Sequence, residues 1–333
     1  MPLNVSTVSQ TPTGPLVERI TMNPPSESRQ IRQDKERDVA VESEESTQGK
    51  AIDVDEDHLP SPAAAIHEEI RQEGQKELER DAMALLWSAI AAGISMGTSF
   101  MAVGMLHTPL AGVPGGFLLE CFGYTIGFVI VIMARQQLFT ENTVTAVLPI
   151  MHKPTRSNFY LLGRLWFVVL AGNLIGTALA ALAFTYMPVF DGETREALVD
   201  IAIKVMKHSP TEMFANAVVS GWIIATMVWM LPRAYSAKLW IIIIMTWMIA
   251  FSNLTHIVAG ASEIFYLVFI GHIPWQAFIW PFALPTLAGN IIGGTFIFAL
   301  ISHAQIRNDM SSSSHGKRQK VQGNEEEEHR QKR

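Results

Sequence analysis

The sequence predicts an all-α membrane protein of six transmembrane helices, built as two inverted three-helix repeats in which helices 2 and 5 are broken. The stretch Ala171-Gly-Asn-Leu-Ile-Gly176 returns almost unchanged as Ala288-Gly-Asn-Ile-Ile-Gly293. Two polar interruptions of apolar runs, at 140–142 and 253–256, are separated by nearly the same number of residues. A chain that repeats both its small-residue helix contacts and its polar breaks is typical of a transporter whose pathway lies between the copies.

Long uncharged runs indicate that these elements cross a membrane. They cover residues 82–119, 165–190, 213–232, 239–262 and 264–306. A bilayer core takes about 20 apolar residues per spanning helix. The runs are therefore too long and too numerous for the core helices of a soluble protein.

Six spans follow one another along the chain, with a proline near most of the joints. We place them at about 84–106, 116–150, 159–187, 211–231, 239–271 and 277–304. The second span is broken near 135–142 and the fifth near 252–256.

The chain divides by composition into three segments. Residues 1–66 form a polar N-terminal tail that is predicted to be disordered, because it cannot bury enough apolar area to offset its ordering entropy. Residues 67–305 form the six-span domain, in which a charged surface helix over 67–80 leads into the first span. Residues 306–333 form a second tail that is disordered by composition.

Short basic loops predict the orientation in the membrane. Lysine and arginine are concentrated before span one, in the loops at 152–164 and 232–238, and after span six. The loops on the other side are uncharged or, in the long loop at 188–210, balanced in charge. The positive-inside rule then places both termini in the cytoplasm.

Several functional classes are excluded by what the sequence lacks. The single cysteine, Cys121, rules out a disulfide framework and a multi-cysteine metal site. The sequence shows no metal-spaced cluster, no nucleophile–base arrangement and no phosphate loop, so we expect no metal, no cofactor and no enzymatic activity. The net charge of −6 gives no indication of a nucleic-acid partner. The partners expected are small solutes, the lipid bilayer and copies of the same chain.

The two breaks carry most of the polar chemistry inside the spans. Glu141 and Asn142 lie in the first break, and Asn253 and Thr255 lie in the second beside a lone histidine. Irregular backbone at bilayer depth is tolerated only where protein or a water-filled cavity satisfies it, so both breaks should face a pathway. Arg135 is close enough in depth to pair with Glu141, and the alternative is that its side chain reaches an interface.

An ordered set of motifs resembles the formate/nitrite transporter family over roughly residues 67–305. The set comprises Gln137-Leu-Phe-Thr-Glu-Asn-Thr143, Trp229, His256, Asn173-Leu-Ile-Gly176 and Asn290-Ile-Ile-Gly-Gly294. The long N-terminal extension and the Gln-Gln-Leu-Phe-Thr-Glu-Asn form resemble a less characterised bacterial branch. Taken alone, the Asn-x-x-Gly pairs are expected to serve helix packing, because small residues let helices approach closely.

The resemblance implies a bacterial inner-membrane homopentamer with one pore per protomer and an aquaporin-like helix arrangement. His256 matches the central histidine, and Thr140 matches the threonine that hydrogen-bonds it. By the same resemblance, Tyr124, Phe128 and Ile249 form the constrictions, and a family lysine near the start of span four corresponds to Lys204 or Lys207. Together with Arg135, which stands where the family has a small residue, these lysines are the candidates for an electropositive vestibule.

Departures from the family pattern bear on the solute. Thr255 and Gln137 replace acidic residues, and Gly221 and Gly260 replace asparagines. With Arg135 added, these changes predict a more electropositive pore that has fewer amide donors around the imidazole.

The function expected is a channel for small monovalent weak-acid anions such as formate or nitrite. Histidine suits proton sharing because modest changes in its surroundings move its proton across neutral pH. Two alternatives remain open at this point. One is a pore for small neutral solutes, and the other is a non-conducting membrane receptor or scaffold whose tails bind partners.

Overall fold

The structure, a computed structural model, describes residues 61–307, and within that range it consists of helices and connecting loops without a strand. Both predicted tails lie largely outside the described residues. Helix α1 (Pro62–Glu79) begins after the Ser61 cap, so the last residues assigned to the N-terminal tail belong to this helix. At the other end, the last helix continues to Arg307, two residues into the predicted C-terminal tail.

Five helices are long and apolar enough to cross a membrane, of which four are α2 (Ala82–Leu110), α3 (Gly116–Met133), α6 (Arg156–Tyr186) and α8 (Pro210–Met230). The fifth is the last helix, α11 (Phe278–Arg307). Span five consists of two shorter apolar helices, α9 (Lys238–Phe251) and α10 (Ile257–Phe269). The prediction of six spans with a broken second and a broken fifth span is confirmed.

The breaks are short irregular segments with one left-handed residue each. After α3, the second span continues as α4 (Phe139–Asn142) and α5 (Val147–His152). Arg135 has a φ of 51° in the first break, and Asn253 has a φ of 49° in the second. Asparagine adopts this region far more readily than arginine does, so the backbone at Arg135 is strained.

The long connection between spans three and four contains a helix that the sequence analysis treated as loop. Helix α7 (Gly192–Met206) begins after Asp191, whose carboxylate accepts a hydrogen bond from the Thr194 N–H. It buries Leu198 and Ala202 against the bundle. A short amphipathic helix between two strong membrane signals is easily overlooked, because its apolar face is narrow.

The last helix departs from regular α geometry in two stretches. Residues Phe278–Ala283 and Ile292–Ala299 are π-helical, and Trp280 lies at a kink with non-helical torsions. The regular segment between them, Leu284–Ile291, carries Asn290. Such π-helical turns are often found at functional sites in helices.

The two halves repeat the same close helix crossing. In the first half α2 crosses α6, where Gly93 faces the backbone of Asn173; in the second α8 crosses α11, where Gly221 faces the backbone of Asn290. A Cβ atom on Gly221 would lie 2.5 Å from the Asn290 carbonyl oxygen. The repeated asparagines therefore mark equivalent positions in the two repeats.

Replacing Gly221 by alanine is expected to destabilise the fold by about 1–3 kcal/mol, because the rigid backbone of Asn290 leaves no room for the methyl group. Gly163→Ala is the matched control, since a Cβ atom there meets nothing within 4 Å. Thermal unfolding midpoints of the purified variants in detergent check this. A Gly221→Ala midpoint equal to that of the control would contradict the packing assignment.

Helix α1 packs across one end of the bundle, where both ends of the described chain meet. His67 of α1 and His303 of α11 are joined by a hydrogen bond. The loops that follow α5 and α8 lie at this same end, here called the α1 face. A chain with an even number of spans begins and ends on the same side of the membrane, which agrees with the meeting of α1 and α11 at this face.

Candidate functional site

The repeated asparagines hold the two breaks in place. The Phe139 N–H donates to Asn173 Oδ1 and the Ile257 N–H donates to Asn290 Oδ1, each at 2.9 Å. Asn173 Nδ2 donates to the Ala89 and Gln137 carbonyls, and Asn290 Nδ2 donates to the Ala217 carbonyl and to Ser220 Oγ. Each asparagine thus satisfies backbone that a broken helix leaves open. The sequence analysis gave these residues a packing role alone, and this capping role was missed.

His256 is the first residue of the second half of span five. Its side chain caps α10, because Nδ1 accepts a hydrogen bond from the Ala259 N–H at 3.2 Å. Since Nδ1 is the acceptor, the hydrogen of the neutral ring lies on Nε2. Nε2 is 2.9 Å from Thr140 Oγ1, so the ring donates to that hydroxyl. Both side chains are almost fully buried.

Aromatic and aliphatic residues surround the imidazole. The Phe128 ring meets the His256 ring edge to face, with centroids 5.2 Å apart, and Tyr124 packs on Phe128 at 5.4 Å. Ile249 is fully buried near the end of α9. These three residues, the predicted constriction residues, are therefore placed on the halves of spans two and five that precede the breaks.

A cavity of about 100 Å³ opens at the end opposite the α1 face and reaches Thr255, the neighbour of His256. We call it the vestibule. Its polar lining includes Glu120, Lys204, His208, Asn253, Thr255 and Glu263. Both candidate lysines are exposed; Lys204 lines the vestibule and Lys207 does not.

Two acidic side chains also line the vestibule, which differs from the purely electropositive lining expected. Glu263 is only 7% exposed, and within residues 61–307 its carboxyl group has no hydrogen-bond or ion-pair partner. Glu120 pairs with His107 Nδ1 at 3.0 Å. The sequence analysis missed both, although each is an isolated charged residue at the edge of a long uncharged run, which is a signal for function inside a membrane.

Arg135 lies at the other end, on the α1 face, and the predicted pair with Glu141 is wrong. Its guanidinium is 4.0 Å from Glu73 of α1, and both side chains are largely exposed. The backbone at Arg135 is left-handed just after the end of α3, and the exposed side chain reaches α1 rather than the break. The backbone carbonyl of Glu141 accepts hydrogen bonds from the Val144 N–H and from the N–H and hydroxyl of Thr145.

Helix α1 is connected to the first break by a chain of amides. Gln137 Nε2 donates to the Glu77 carboxylate at 2.8 Å, and Asn142 Nδ2 donates to Gln137 Oε1 at 3.0 Å. Burial raises the pKa of Glu77 above its ordinary value. The Asn142 carbonyl accepts from the Trp166 indole N–H. Asn142 therefore contributes hydrogen bonds that hold the first break, and none of the bonds named here involves the imidazole.

The two glycines that stand where the family has asparagines pack closely against neighbouring residues. Gly221 contacts the Asn290 backbone, and a Cβ atom on Gly260 would lie 2.8 Å from the Phe282 ring. A larger side chain at either position would collide with a neighbour, so no amide could stand there without rearrangement.

The family model for the formate/nitrite transporters matches residues 64–304, which is most of the chain. The chain belongs to the formate/nitrite transporter family. Its members are channels and transporters, so the expectations of a transport protein of this type and of no enzymatic activity are confirmed.

Relatives and solved structures support this assignment. Inner membrane protein YfdC of Escherichia coli (strain K12) is 69% identical over 275 residues, covering 83% of this chain and 89% of that protein. Formate channel FocA of Haemophilus influenzae is 24% identical over 237 residues, covering 62% of this chain and 81% of that protein. A solved pentameric formate channel with formate bound superposes with a TM-score of 0.60 at 22% identity, covering 68% of this chain and 97% of that one. That structure shares the fold.

Proposed function

We propose that the protein is a channel for small monovalent weak-acid anions, such as formate or nitrite, in which His256 shares its Nε2 hydrogen with the passing solute. The observation that carries the proposal is the Thr140–His256 contact, because it joins the two breaks at one buried donor. The Asn173 and Asn290 caps support it, since they hold both breaks at this contact. The family and the formate channels among its relatives agree with this solute class.

The proposed path runs from the vestibule past Thr255 to the imidazole. A small anion loses part of its hydration beside Tyr124 and Phe128, at a cost of several kcal/mol if nothing compensates. Lys204 provides positive charge where the anion enters. Neutralisation of the weak-acid anion requires a proton from the aqueous side: the ring takes it up at Nδ1, passes its Nε2 hydrogen to the anion and is left neutral, whereas the anion of a strong acid cannot take that hydrogen.

The assembly and the setting are proposed by analogy with the relatives. We infer a homopentamer with one pore per protomer, by analogy with the solved formate channel, which is pentameric. We infer an inner-membrane location, by analogy with the inner membrane protein of Escherichia coli. The basic loops on the α1 face support a cytoplasmic position for both termini. Arg135, which lies on this face, would form part of the cytoplasmic entrance.

A second candidate, a pore for small neutral solutes, is favoured by the acidic lining of the vestibule. Glu120 repels an anion that enters there, whereas an undissociated acid or another neutral molecule meets no such repulsion. The two candidates differ in whether the entering species carries charge.

A solute panel in proteoliposomes distinguishes them. For the weak-acid channel we expect formate and nitrite uptake to exceed chloride uptake by about 100-fold or more, since only the weak acids can take the imidazole hydrogen. Uptake of glycerol or urea should stay at the level of empty liposomes. Equal rates for formate and chloride would contradict proton sharing, and glycerol uptake that matches formate would support the neutral pore.

A further inference from the structure

A second cavity lies on the α1 face, separate from the pore centre. It has a volume of about 430 Å³ and is formed by α1, the end of α5 and the end of α11. Six ionisable side chains line it: His67, Glu68, Arg71, His152, His303 and Arg307. None of them takes part in the path proposed above.

The charge of this cavity is mainly positive. Glu68 is its single carboxylate, and it is already bound by Arg71 and by Gln72. Within residues 61–307, His152 and Arg307 make no hydrogen bond or ion pair, so this part of the chain does not occupy their donors. A guanidinium and an imidazole that converge on one cavity are donors suited to an oxyanion.

The contact between His67 and His303 makes the protonation of these two rings depend on a bound anion. His67 Nε2 and His303 Nδ1 are 3.2 Å apart, and one of the two nitrogens must therefore present a lone pair. Burial, and then the neighbouring His303, Arg71 and His152, lower the pKa of His67 to about 4. A bound anion would offset the repulsion from these neighbours and favour the protonated ring.

The position of the cavity indicates which class of anion it could bind. It lies where α11 ends at one edge of the bundle, and Leu300, one turn before His303, is 49% exposed. Acyl chains can therefore lie on α11 while the headgroup meets Arg307. Basic pockets between the ends of transmembrane helices bind anionic headgroups.

We propose that this cavity binds a phosphate group, held by Arg307, His152 and the His67–His303 pair. Two sources offer that group: the headgroup of an anionic lipid and a free phosphate compound. Because the bound anion favours the charged imidazoles, binding takes up protons. The affinity is therefore expected to rise as the pH falls from about 8 to about 5.

The experiment compares Arg307→Gln with Arg156→Gln in the delipidated full-length protein. Arg156 begins α6 on the same face, is exposed and does not line the cavity, so its variant loses the same charge elsewhere. Native mass spectrometry measures retention of phosphatidylglycerol against zwitterionic phosphatidylcholine. Thermal unfolding with added inorganic phosphate, against chloride at equal ionic strength, tests the free ligand.

Arg307→Gln is expected to weaken binding by about 10-fold or more, since it removes a charge-assisted hydrogen bond, while Arg156→Gln binds as the unmodified protein does. Preference for phosphatidylglycerol alone would assign the site to lipid, and a phosphate-dependent rise in the unfolding midpoint would assign it to a free compound. Equal losses in the two variants, or no response in either arm, would overturn the proposal.

Discussion

Replacing His256 by alanine is expected to lower formate uptake by about 100-fold or more, because the substitution removes the ring that passes a proton to the anion in the dry segment. Chloride leakage should remain at its low level or rise slightly, since the ring also narrows the path beside Phe128. The measurement is uptake of both anions into proteoliposomes that contain matched amounts of protein.

Two variants of Thr140 are the controls for this result. Thr140→Ser keeps the hydroxyl that accepts from His256 Nε2 and should retain most of the uptake, whereas Thr140→Val leaves the imidazole N–H without its partner. A loss of about 3- to 10-fold is expected for the valine variant, the value of one hydrogen bond. Formate uptake by His256→Ala at the rate of the unmodified channel would refute the role assigned to the imidazole.

Replacing Asn290 by alanine is expected to lower stability by about 2–3 kcal/mol and to abolish most uptake. The variant leaves the buried Ile257 N–H without an acceptor, and the Ala217 carbonyl keeps only its other donors, among them Ser220 Oγ. An unpaired buried group costs about 1–3 kcal/mol, and polar contacts inside membranes are on average weaker than that. Ile257 follows His256 directly, so the ring would also lose its fixed position.

Asn158→Ala is the matched control, since Asn158 Nδ2 donates to the Lys153 carbonyl at an exposed site. Its unfolding midpoint and uptake should equal those of the unmodified protein. The equivalent variant in the first repeat, Asn173→Ala, should behave as Asn290→Ala does, because its contacts are the same in kind. An Asn290→Ala protein that unfolds and conducts normally would show that the break is held by other groups.

The spans and their breaks could be predicted from sequence because both signals are local. Uncharged runs set the length of each helix, and a polar stretch inside a run has few explanations other than a path through the protein. The pairing of Thr140 with His256 depended on the family resemblance, since no local rule joins residues so far apart in the chain.

The errors come from contacts that only the folded chain brings about. The partner of Arg135 is Glu73, which lies in a different helix more than sixty positions earlier, and local proximity to Glu141 suggested the wrong pair. Glu120 and Glu263 were visible as isolated charges, but their meeting in one vestibule depends on how α3 and α10 pack. Helix α7 was treated as loop because its amphipathic face is short.

The backbone hydrogen bond to His256 Nδ1 has a further consequence for bioenergetics. A doubly protonated ring would point a second hydrogen at the Ala259 amide, so charging the ring requires the first turn of its helix to loosen. A bare hydronium ion thus finds no stable position at the middle of the conduit. We expect the protein to move a proton only together with a passenger anion, and to show no proton leak when such an anion is absent.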